Sequence, residues 1–91
     1  MEISKLKIGG RNYKVDFVDA LVDSGSTDVV KQVILINDNL TDDGKLTTLI
    51  HESLEVIDDT YNLKLEHQTL QTLECALFQL LKENEIFKEI K

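Results

Sequence analysis

Apolar and polar positions alternate at the start of the chain. Leu6 and Ile8 are flanked by lysines, Gly9-Gly10 follows, and Tyr13, Val15 and Phe17 alternate on the return. Period-two patterning on both sides of a glycine pair that tolerates positive φ predicts a β-hairpin, with strands over 3–8 and 12–18. Asp23-Ser24-Gly25-Ser26-Thr27-Asp28 is rich in turn formers and reads as a loop. It leads into a β-branched run that predicts a third strand over 30–37, closed by Asn37-Asp38-Asn39.

From Thr41 the period changes to helical. Leu46, Leu49, Ile50, Ser53, Leu54, Ile57 and Tyr61 fall on one stripe at about 100° per residue, predicting a helix over 42–61. Thr41, Asp42 and Asp43 suit its N-terminus, by side-chain capping and by carboxylates near the positive end of the dipole, and Asn62 can close it. A second helix is predicted over 66–84, with Leu70, Leu73, Leu77, Leu80 and Leu81 as its apolar stripe. The short connection makes the two helices antiparallel. Glu85 to Lys91, with Ile86, Phe87 and Ile90, either extend that helix or fold back on the sheet. The fold expected is α+β: an N-terminal β-hairpin plus a third antiparallel strand, then an antiparallel two-helix hairpin.

Ninety-one residues suit one domain over 1–91, since a chain this short buries one core. Hydrophobic residues at 42% and charged residues at 30% are the balance of a folded, soluble chain. No apolar run approaches the roughly 20 residues of a membrane span. The start Met1-Glu2-Ile3-Ser4-Lys5 lacks the pattern of a secretory signal, so a cytoplasmic location is expected. The lone Cys75 has no Cys-x-x-Cys partner and reads as a small helix residue. A net charge of −7 repels phosphate backbones, so nucleic acid is not an expected partner and a protein partner is.

The candidate chemistry lies on the first helix. His51 and Glu55, four residues apart, stand on adjacent turns, roughly 5–6 Å from one another, close enough to hold one cation between them. Asp58 lies on the same flank. On the second helix Glu74 projects among Leu70, Phe78 and Leu81, an unusual place for a surface carboxylate. Pairing positions symmetrically across a turn at 63–64 puts Glu74 level with about residue 53, so that His51, Glu55 and Glu74 converge as candidate ligands. His67 shares the Glu74 face nearer the turn and is a weaker fourth candidate.

The run Thr48-Leu49-Ile50-His51-Glu52-Ser53-Leu54-Glu55-Val56-Ile57-Asp58, then Tyr61-Asn62-Leu63-Lys64-Leu65 and Leu77-Phe78-Gln79-Leu80-Leu81-Lys82-Glu83-Asn84, resembles small phage and prophage zincin-like proteins of the His-Glu-x-x-His type. The Ile8-Gly9-Gly10-Arg11-Asn12-Tyr13-Lys14-Val15 hairpin is similar too, so the resemblance covers most of the chain. It implies a minimal zincin-like fold, a single divalent metal with zinc first in line, His51 as first ligand, Glu52 as general base and a further carboxylate completing the site. The second histidine position holds Glu55. Two carboxylates with one imidazole neutralise more of the metal's charge than two imidazoles with one carboxylate, and water acidification weakens accordingly.

Three functions follow as expectations. The first is a degenerate zincin-like domain serving as a non-catalytic interaction or regulatory protein. The second is an active metal-dependent peptidase or hydrolase using His51, Glu55 and Glu74, with a harder ion as an option for so oxygen-rich a set. The third is a small acidic inhibitor of a host nucleic-acid-binding protein.

Overall fold

The computed structural model describes residues 3–19 and 22–85. Four strands, β1 (Lys5–Ile8), β2 (Arg11–Val18), β3 (Gly25–Asp28) and β4 (Val33–Asn37), precede two helices, α1 (Asp42–Tyr61) and α2 (His67–Glu83). The α+β class is as expected.

The hairpin closes as its glycines dictate. Gly9 and Gly10 both have positive φ, 59° and 80°, and Ile8 pairs with Arg11 across the two-residue loop. Such a turn matches the right-handed twist of the flanking strands. Sheet order is β1-β2-β4-β3. The predicted third strand is β4, and its pairing differs from the expected antiparallel addition: β4 runs antiparallel to β3 but parallel to β2, with Val15 opposite Ile34 and Phe17 opposite Ile36.

The difference arises at the segment read as a loop. Gly25–Asp28 is β3, an edge strand pairing Thr27 with Ile34 and Gly25 with Ile36. Its turn-forming composition hides a strand held by backbone bonds to β4 and by packing against α1. The turn after it uses the same residues locally, because the Asp28 carboxylate accepts from the Val30 and Lys31 N–H groups at 3.0 Å. Val30 to Gln32 therefore lie before the strand, which starts at Val33.

Tyr13, Val15, Ile34 and Ile36 point from one sheet face onto Leu49 and Val56 of α1, and this cluster with Ile8 is the core. Helix α1 begins where Thr41 accepts from the Gly44 N–H at 3.1 Å, and ends at Asn62 in the left-handed conformation, φ 52°. It packs on β1, β3 and β4 on one side and on α2 on the other, whereas α2, among the described strands and helices, packs on α1 alone. The helical hairpin is pinned at its turn by Asp58, whose carboxylate accepts from the Leu65 N–H at 3.0 Å.

Two-sided packing corrects the single-stripe reading of α1. Thr48, Glu52 and Val56 are buried along with Leu46, Leu49 and Ile50, while Tyr61 is 59% exposed. Helix α2 ends at Glu83, with Asn84 and Glu85 in a turn; the question of 86–91 falls outside the described residues. Among the described residues no helix is long and apolar enough to cross a membrane.

Candidate metal centre

Consecutive residues on a helix diverge by about 100°, so His51 and Glu52 look in different directions although they are neighbours. His51 faces α2 and Glu52 faces the edge strand β3. The Thr27 hydroxyl donates to Glu52 Oε1 at 2.7 Å, tying edge strand to helix at the site itself. Close approach there needs Gly25: a Cβ at that position would stand 2.5 Å from Thr48 Cγ2 and 2.9 Å from the Leu35 carbonyl oxygen.

On the other flank His51 Nδ1 lies 2.6 Å from Glu74 Oε1, and His51 Nε2 lies 3.5 Å from Glu55 Oε2. The helical hairpin thus brings Glu74 to His51. It meets the nitrogen that faces away from Glu55, so Glu55 and Glu74 flank the imidazole from its two ends. The compact set is instead His51, Glu52 and Glu55, each offering one donor atom, all within 4.8 Å of one another. Asp58 is engaged at the interhelical turn, and His67 is the exposed first residue of α2, outside the set.

Electrostatics follow from this crowding. Burial works against a charged His51, but the hydrogen bond to Glu74 and the fields of Glu55, Glu74 and Glu52 outweigh it, and its proton affinity is raised above the ordinary 6.5. Glu52 is only 7% exposed. Burial pushes its proton affinity above the usual 4.5, with Glu55 and Glu74 adding to the rise, while the Thr27 hydrogen bond and His51 oppose it. A carboxyl displaced toward neutrality beside an imidazole is the arrangement proton transfer requires.

The donor set can hold a metal ion. A cation with bonds near 2.1 Å needs tetrahedral donors roughly 3.4 Å apart, and His51 Nε2 stands 3.5 Å from Glu55 Oε2. One imidazole and two carboxylates accept zinc and, more readily than a two-histidine site would, harder ions such as manganese.

Open space adjoins the set on both flanks. A groove of about 510 Å³ runs between β3 and α1, past Gly25, Thr27, Val29, Glu52, Glu55 and Asp59. A second hollow of about 440 Å³ lies past Asp23, Ser24, Thr47, His51 and Glu74. Among the described residues no lysine or arginine lines either one, and the charged side chains that do, Asp23, Glu52, Glu55, Asp59 and Glu74, are acidic.

Sequence reasoning missed Thr27 and Gly25, because both sit in the stretch that reads as a loop. Nor did it place Glu52 among the candidate ligands, since the resemblance gives it the role of general base. The available signal was Thr48, Glu52 and Val56 at i, i+4, i+8, a second inward row crossing the polar flank of α1. No protein-family model, curated protein or solved structure matches the chain, so the zincin-like resemblance stands on the residues of this chain alone.

Proposed function

We propose that the chain is a zincin-like domain that keeps a divalent-cation site at His51, Glu52 and Glu55 and serves as a small interaction or regulatory protein without peptidase turnover. The observation that carries this reading is the donor set itself: three donor atoms within 4.8 Å, of which one is an imidazole nitrogen. A bound ion would supply Lewis acidity there, weakened by the two carboxylates beside it. The residue in the base position, Glu52, is tethered to β3 through Thr27, and the second ligand position, Glu55, has a side chain 44% exposed. Both features suit a site that fastens helix to edge strand.

The test is metal titration of the purified protein against a chelator of known affinity, with zinc and with manganese, alongside a peptide-library cleavage assay. One equivalent of metal is expected, lost in His51→Ala and in Glu55→Ala, with no cleavage. Absence of binding would remove the metal site. Metal-dependent cleavage that disappears in Glu52→Gln would remove the non-catalytic reading.

A hydrolase is the second reading, and the raised proton affinity of buried Glu52 beside an open groove favours it. Its mechanism would use Glu52 to take a proton from the attacking water and His51 and Glu55 to hold the ion. The same cleavage assay separates the two.

A further inference from the structure

Resting on the reading of His51 as a metal ligand, we propose that Glu74 is its positioning residue: Glu74 accepts the Nδ1 hydrogen and so fixes the ring and the tautomer that turns a bare Nε2 toward Glu55.

A neutral imidazole carries one hydrogen for two nitrogens, and the partner of one nitrogen decides what the other can do. At 2.6 Å, His51 Nδ1 and Glu74 Oε1 are in short hydrogen-bond contact, and an ionised carboxylate only accepts. In the neutral ring, the form that can bind a metal, the hydrogen is therefore on Nδ1 and the Nε2 lone pair is free. Nε2 is the nitrogen near Glu55, at 3.5 Å. Because the two ring nitrogens point apart, Glu74 cannot share with Glu55 an ion held on Nε2. It acts through the imidazole, in the way that outer carboxylates orient metal-binding histidines generally.

The placement of Glu74 fits that task. Its side chain is 19% exposed, and among the described residues His51 is its polar partner. Among the described strands and helices, the helix on which it sits packs on α1, so the hairpin geometry delivers the carboxylate to the ring. A second polar link between the helices, Lys82 to Asp43 at 3.0 Å, is exposed at both ends and far along the hairpin from His51. Simple pinning of the helices thus has another candidate.

The alternative role for Glu74 is a structural clasp, and three readouts on the full chain separate the two. Glu74→Met keeps length and apolar contact but removes the acceptor; Glu74→Gln keeps an acceptor oxygen and removes the charge. In metal-free protein at high pH, long-range ¹H–¹⁵N spectra of His51 should show the Nδ1–H tautomer in the wild type and in Glu74→Gln. They should show the Nε2–H tautomer, which free imidazole side chains favour, in Glu74→Met. Zinc affinity by chelator competition should fall about 10- to 100-fold in Glu74→Met and less in Glu74→Gln.

Thermal melts in EDTA report folding separately. An unchanged His51 tautomer in Glu74→Met overturns the proposal, as does a melting temperature that falls while zinc affinity of the folded protein holds. If the wild type binds no zinc yet Glu74→Met switches the tautomer, the positioning role stands and the metal reading falls.

Discussion

Replacing Glu52 by glutamine should stabilise the metal-free protein. The glutamine oxygen can still accept from Thr27, so the tie to β3 survives while the charge goes. That charge is costly where it stands, on a residue 7% exposed and with a Glu55 donor oxygen within 4.8 Å. Like charges at that separation repel by about 1 kcal/mol in a water-like medium and about 3.5 kcal/mol at an effective dielectric of 20. The exposure of Glu55 puts the value near the lower figure. A gain of roughly 1 kcal/mol raises the melting temperature of a domain this size by about 4–8 °C. The assay is thermal unfolding followed by circular dichroism in EDTA, repeated at rising pH, because loss of the His51 proton removes an imidazolium that offsets the carboxylates. Adding saturating zinc or manganese should shrink or reverse the difference, because the ion favours the carboxylate it touches. A variant less stable than the wild type in EDTA would refute the argument and make Glu52 a carboxylate the fold itself requires.

Three further outcomes follow from the same contacts. The raised proton affinities of His51 and Glu52 act in one direction with pH in metal-free protein: a raised His51 contributes stability that is full below 6.5 and is lost as pH climbs through its higher folded value, and a raised Glu52 does the same from 4.5 upward. Urea unfolding at a series of pH values in EDTA should therefore show wild-type stability falling above 6.5 more steeply than in His51→Gln; parallel curves would dismiss the shift. Thr27→Val removes the hydroxyl that donates to buried Glu52 and should cost about 1.5–3 kcal/mol, read as a lowered urea midpoint, with Glu52 pushed further up; no change would mean water replaces the hydroxyl. Gly25→Ala sets a Cβ against the Leu35 carbonyl and Thr48, and should lower the melting temperature by several degrees and weaken metal binding together, whereas Gly10→Ala, strained only by its φ of 80° with open space around it, should leave binding unchanged.

Much of the fold could be read directly. The Gly9-Gly10 hairpin and the bounds of α1, from Thr41 to Asn62, rest on local chemistry that tertiary structure had no reason to override. The misplaced features share a cause. Gly25-Ser26-Thr27-Asp28 has poor strand propensity, yet propensity in sheets reports packing against neighbours more than backbone preference. At this edge the neighbours select for small size: Gly25 admits the flank of α1, and Thr27 offers a hydroxyl where a β-branched hydrocarbon would leave Glu52 unsatisfied. The parallel register of β4 against β2 was equally hidden, because it follows from β3 occupying the far edge of the sheet and no single residue encodes it.

The nearness of Glu74 and Glu55 to His51 was legible, and the wiring of the cluster was not. Symmetric pairing across the interhelical turn places Glu74 near His51, since helix spacing is fixed and the connection is short. What pairing cannot supply is which ring nitrogen each carboxylate meets, and that decides the chemistry. With Glu74 on Nδ1 and Glu55 on the Nε2 side, the three residues form a line running through the imidazole instead of a ring around an ion. The donor set that could surround a cation takes in Glu52 instead, from the face that the edge strand covers. Burial first, and Glu55 after it, raise the proton affinity of Glu52, so an ion bound here would offset both the burial of that charge and its repulsion by Glu55. Such a site should bind metal through charge more than through ligand softness. The ratio of zinc to manganese affinity should accordingly be smaller than a two-histidine site would give, and a strongly zinc-selective titration would contradict that account.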